Sequence, residues 1–231
     1  MNMKAIFLSL VFLFGLNIHV FSQFSKGNIF MGSNLNLYSV TSEKQMDATN
    51  YIGKDTLKGF AISPQIGAFV SDNVAMGLGF IYEYEKEGFK ATDASNSFQI
   101  KSKLYSFDVF ARTHKSINEN MALFIHAFFD FGIGSLNETV SLYNYNQKYK
   151  VTGDFTSCKL GIAPGFNFFL GKKISLEAKF GFIGYQSQKE KYDIAGTEKI
   201  NTQKELKFDF NISSLTLGIN YFLNRKTKPN T

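Results

Sequence analysis

From about residue 29 to residue 223 this chain returns an apolar side chain at every second position, run after run. Between 74 and 84, for example, Val74, Met76, Leu78, Phe80, Tyr82 and Tyr84 share one parity. A two-residue period puts these side chains on one face of a strand, whereas a helix would repeat near 3.6. Comparable runs occur at 29–38, 60–70, 104–112, 123–133, 160–170, 174–182 and 206–223. Eight strands are therefore predicted. In the last run Leu206, Phe208, Phe210 and Ile212 lie on one parity and Leu215, Leu217, Ile219 and Tyr221 on the other, which calls for a β-bulge near Ser213 and Ser214.

The connections divide into two kinds. Those at 71–73, 114–120 and 171–173 are short; those at 40–58, 85–97, 135–154 and 186–204 are long. Alternating short and long turns describe an antiparallel meander with its short turns at one end. Ile62, Pro64, Phe69, Val74, Met76 and Phe80 recur as Ile162, Pro164, Phe169, Ile174, Leu176 and Phe180, so one hairpin design is used twice. Proline removes a ladder hydrogen bond, and its reuse predicts a bulge or rim position.

Alternation alone suits a soluble sandwich with its greasy face inward equally well. The opposite parity decides between the two. It carries Glu83, Asp108, Arg112, His126, Asp130, Lys159, Glu177 and Lys179, interspersed with glycines such as Gly77, Gly79, Gly165 and Gly218. Inside a narrow tube, charges can pair across the lumen while glycine makes room for them. The expected fold is all-β: an eight-stranded antiparallel up-and-down transmembrane β-barrel, apolar outside, with those eight residues as a polar lumen network.

The start of the chain supports export. A basic residue, Lys4, precedes an apolar run ending at Val20-Phe21-Ser22, the pattern of a secretory signal peptide cleaved before Gln23. The expected organisation is a signal peptide at 1–22, a barrel at 23–224 and a short periplasmic tail at 225–231. The single cysteine, Cys158, excludes an internal disulfide framework. Past Val20 no stretch is apolar for long enough to make a membrane helix. The formal charge of +6 is spread along the chain, which disfavours nucleic-acid binding and fits contact with anionic lipid headgroups or polysaccharide.

Chemistry-bearing constellations are few. His126 and Asp130 share one strand face, but Phe128 lies between them where a nucleophilic serine would complete a lipid-deacylating site. After export only His114, read as part of a turn, and His126 remain, without metal-ligand spacing. Gly77 and Gly79 lie within a strand, not in a phosphate loop. No catalytic residue, metal or cofactor is expected. The loop segment 143–150 interleaves tyrosine with amides and lysine, a composition that suits sugars or phosphates, although strand extension beyond the membrane also accounts for it.

The end of the chain, with Thr216, Gly218, Tyr221 and Leu223, resembles the C-terminal recognition signal of outer-membrane barrels, Leu223 standing where an aromatic is usual. Together with 64–79, Phe110-Ala111-Arg112 and 131–134, residues 23–224 resemble the outer membrane protein beta-barrel domain family, the small OmpA/OmpX-like or PorT-like barrels of Gram-negative bacteria. The resemblance implies a non-enzymatic outer-membrane protein with a structural or surface-interaction role. Its implied alternatives are a narrow channel for small solutes or ions, a lipid-modifying enzyme, or a secretion accessory. It implies as partners outer-membrane lipids and lipopolysaccharide, the barrel assembly machinery during insertion, and an extracellular ligand held by the long loops.

Overall fold

The computed structural model describes residues 22–46, 51–91, 96–142, 147–194 and 197–223. The expected leader, apart from Ser22, the expected tail and the loop positions 143–146 lie outside the described residues. Ten strands follow one another: β1 (Ile29–Met46), β2 (Tyr51–Ser71), β3 (Val74–Ala91), β4 (Asn96–Asn118), β5 (Met121–Leu142), β6 (Gln147–Phe169), β7 (Ile174–Phe180), β8 (Phe182–Ile194), β9 (Thr197–Asp209) and β10 (Leu215–Leu223). All pairings are antiparallel, as expected for an all-β up-and-down sheet.

Pairing of β1 with β10 and of β5 with β6 turns the sheet into a ring made of β1 to β7 and β10. The register has a measurable stagger. From Asn36, one route through Ala61 and Glu83 meets β4 at Leu104. The opposite route, through Thr216, Lys179, Gly165 and Phe124, meets β4 at His114, ten residues further along. With ordinary strand spacings that stagger tilts the strands by about 40° from the ring axis.

The segment count departs from the expected eight because the last two runs each break. At Gly181 the backbone has φ +54°, and an added Cβ would run into the Asp209 carbonyl, so only glycine fits. The extra residue reverses the parity: Ile183 takes the outward register expected for Phe182, and Phe182 packs edge-on against Phe128. On the facing strand of β6 lies Pro164, which has no N–H to donate; the β8 pairing stops at Ile162 and the β7 pairing starts at Gly165. The second break is a 3-10 turn at Ile212–Ser214, where the bulge was anticipated.

The expected long loops are largely strand. β2 begins at Tyr51 and β4 at Asn96, so the strands project well beyond the apolar runs that announced them. His114, expected in a turn, is a buried strand residue.

The faces are unambiguous. Phe107, Phe129 and Leu176 are 51%, 44% and 44% exposed, whereas Asp108 and Glu177 are 7% and 2% exposed. Charge points inward and hydrocarbon outward, the reverse of a soluble core.

Candidate functional site: a polar lumen above an aromatic seal

At the short-turn end, the 3-10 turn at Ser22–Phe24 folds under the ring. It is tied down by hydrogen bonds from Asn73 N to Phe24 O (2.8 Å), Gly27 N to Phe69 O (2.8 Å) and Lys26 N to Asp72 Oδ1 (2.9 Å). Phe24, 0% exposed, stacks on His114 with ring centroids 4.5 Å apart and packs against Phe69, Phe169 and Phe222. Phe30 and Phe110 complete a layer of rings across the lumen.

A polar layer centred on Arg112 sits directly above the rings. Its Nη1 donates to Glu177 Oε2 (2.7 Å), its Nε to His126 Nδ1 (2.8 Å) and its Nη2 to Gln65 Oε1 (2.8 Å). The guanidinium also lies over the rings of Phe30, Phe110 and Phe124, at 5.4, 5.0 and 5.0 Å. Asn220 Nδ2 donates to Glu177 Oε2 (2.7 Å), and Gln65 Nε2 donates to Asn220 Oδ1 (3.2 Å). With its amide turned to match donors to acceptors, Asn34 donates to Glu177 Oε1 (3.2 Å) and accepts from Lys179 Nζ (3.3 Å). Six ring strands thus converge on one layer, and β3 faces it with Gly77 and Gly79, where a Cβ would meet the Phe110 ring and the Asp108 carboxylate respectively.

Higher up, Asp108 and Asp130 face each other in register. Their Oδ1 atoms have no protein partner. Lys159 approaches Glu83 to 4.0 Å. Above these groups the lumen widens into a cavity of about 630 Å³ lined by Tyr38, Glu83, Glu85, Glu87, Glu190 and Asp209 among others. Tyr38 donates to Glu85 (2.7 Å) and Tyr192 to Glu190 (2.6 Å). Burial holds the Glu85 carboxyl above its ordinary range, opposed by the Tyr38 hydrogen bond.

Of the eight residues expected in the lumen, the structure joins Arg112, His126, Glu177 and Lys179 in one network, and places Asp108 with Asp130 and Lys159 with Glu83 as separate pairs. Gln65, Asn34 and Asn220 belong to the network although their sequence surroundings single out none of them; their only signal is that they share the parity of the charged residues. Thr216 lines the cavity, Tyr221 and Leu223 face outward, and a Cβ on Gly218 would collide with Asn34. Among the described residues no three His, Cys, Asp or Glu side chains gather to hold a metal, and no helix is long and apolar enough to cross a membrane.

The wall is not continuous all the way up. Beyond Asn36, β1 pairs only with β2, and β9 pairs only with β8 among the described residues, leaving a slot between them. Asn36 closes its foot, donating from Nδ2 to Leu215 O (2.6 Å) and Ser213 O (2.9 Å).

These features define a ring-closed antiparallel β-meander, packed with aromatic rings at one end and cup-like at the other. The chain belongs to the family described as "Protein of unknown function (DUF3575)", whose model matches residues 67–223. No curated protein matches its sequence. Among solved structures it is similar to the outer membrane protein OprG from Pseudomonas aeruginosa (11% identity, 88% of this chain and 99% of that one, TM-score 0.48). It is also similar to the Neisserial surface protein A (15%, 85% and 99%, 0.34) and to Ail, the attachment invasion locus protein of Yersinia pestis, solved with a heparin analogue (16%, 86% and 99%, 0.32).

Proposed function

We propose that this chain is a non-enzymatic outer-membrane β-barrel that crosses the bilayer eight times, β7 with β8 and β9 with β10 serving as two broken strands. The carrying observation is the outward band of hydrocarbon around an inward core of charge. On β3 that band runs from Val74 to Tyr84; eleven residues tilted by about 40° cover about 26 Å along the axis, the height of the apolar belt in such barrels. The sealed end then faces the periplasm and the acidic cup faces outward, giving a surface-interaction role rather than a conduit.

The channel alternative meets the Phe24 layer, and the enzyme alternative meets a His126 whose Nδ1 is already taken by Arg112. Detergent-extracted protein should migrate faster on gels unboiled than boiled, and in planar bilayers it should show no discrete conductance steps. Release by carbonate washing would remove the membrane assignment; steady unitary conductance would replace the surface role with transport.

A further inference from the structure

The lumen and the outer wall carry opposite charge. From the top of the apolar band upward the inward positions are rich in carboxylates, Glu83, Glu85 and Glu87 among them, while the outward positions of β2, β3 and β4 above the band are rich in lysine. Lys54, Lys58, Lys86, Lys90, Lys101 and Lys103 all face outward there, and no Asp or Glu shares that face in the described parts of these three strands. Lys58, Lys86 and Lys101 stand in one cross-strand row, and Lys54 is in register with Lys90. Directly opposed like charges destabilise a sheet, so a row of three without a carboxylate between them is a local cost that an external anion would relieve. None of the six forms an ion pair among the described residues.

The patch is also concave. Gly88, in register with Thr56 and Gln99, leaves the centre of the face without a side chain, and around it opens a hollow of about 860 Å³ bordered by Lys54, Lys86, Lys90 and Lys101. Gln99 supplies a neutral donor, Thr56 donates its hydroxyl to the Gly88 carbonyl (3.3 Å), and Glu43, in register with Lys54, marks its edge. Immediately below lie Phe60, Tyr82, Tyr84 and Tyr105, packed ring to ring at 5.1–6.0 Å, and below those the hydrocarbon wall of Phe80 and Phe107.

We propose that this face binds a phosphorylated glycolipid of the outer leaflet, its phosphates on the lysines around Gly88 and its acyl chains on the wall beneath. The proposal rests on the membrane-barrel reading, since it places Lys58, Lys86 and Lys103 at headgroup height and the hollow just beyond it. Apolar wall, aromatic ledge and basic hollow stacked along one axis match a ligand that has both parts; a free anion would use only the upper one.

The test is native mass spectrometry of the full-length folded protein in neutral detergent, titrated with bisphosphorylated lipid A or with its dephosphorylated form. The phosphorylated form should bind more tightly, and the triple variant Lys86→Gln, Lys90→Gln, Lys101→Gln should lose about 100-fold in affinity. The corresponding triple arginine variant should retain binding, because charge is what counts. Inorganic phosphate at millimolar concentration should not displace the lipid. Equal binding of the two lipid forms, or an unaffected glutamine variant, would overturn the proposal; displacement by phosphate would reassign the hollow to soluble anions. Heat-modifiable gel mobility, measured on every variant, reports the barrel itself, so its loss is distinguishable from loss of lipid binding.

Discussion

Arg112 is 1% exposed, and its three hydrogen-bonded partners come from three different strands, β2, β5 and β7. A charge this deep is tolerable only with its partner in place. Arg112→Ala should cost about 3–5 kcal/mol, because Glu177 would be left buried and unpaired. Arg112→Leu combined with Glu177→Leu should recover much of that loss, a non-additivity readable in urea titrations of the vesicle-embedded protein. If the double variant is as damaged as the sum of the singles, the pair is not the unit of stability. Gly181 makes a different residue-scale case, since both its positive φ and the nearby Asp209 carbonyl exclude a Cβ. Gly181→Ala should destabilise by about 1–3 kcal/mol in the same titration, while Gly171→Ala, with open space around it, should change little.

At the scale of elements, the contrast between β9 and β10 is the sharpest. β10 is paired on both sides, to β1 and β7, whereas among the described residues β9 is paired on one side only and carries Lys199, Lys204 and Lys207, the residues that guard exposed edges. Hydrogen exchange in detergent should therefore show every second amide of 199–209 unprotected and the amides of 216–222 protected throughout; uniform protection of β9 would mean that the slot is closed. Such behaviour was not legible in the sequence, although much of the meander was. The strands within the membrane band announced themselves because apolar and polar neighbours contrast there, and Ser71-Asp72-Asn73 marked a tight turn plainly. Beyond the band the outward residues become largely lysine, serine and threonine, so both faces read as polar and the pattern does not separate strand from loop. Phe24 was hidden for another reason: its packing partners are supplied by strands across the whole chain, and nothing local to residues 22–24 predicts that they seal the ring. The charged members of the lumen network stood out because an ionised group in a strand demands explanation, while Gln65, Asn34 and Asn220 did not.

For the molecule as a whole, everything else depends on orientation in the bilayer, and spin labels at two heights on β4 report on it. Cys158 is the only cysteine in the chain, and it lies on the outward parity of β6, in register with Phe131. That row, through Phe107 to Phe80, runs perpendicular to strands tilted by about 40° and so climbs on its way to β6; the thiol stands at the upper edge of the apolar run, and the mid-band position is Val109 of β4, in register with Leu78 and Phe129. A nitroxide at Val109→Cys, in a Cys158→Ser background in lipid vesicles, should collide freely with oxygen, which concentrates in hydrocarbon, and scarcely with a water-soluble nickel chelate. Moving the label to Lys103→Cys in a Cys158→Ser background should reverse the ratio, because position 103 lies beside Tyr84 at the upper edge of the band. A label at 109 in a soluble sandwich would be either shielded from both relaxants within a core or open to the chelate. Only a lipid-facing wall yields high oxygen and low chelate contact at 109 together with the opposite at 103, since the two positions differ in height along one continuous outer surface.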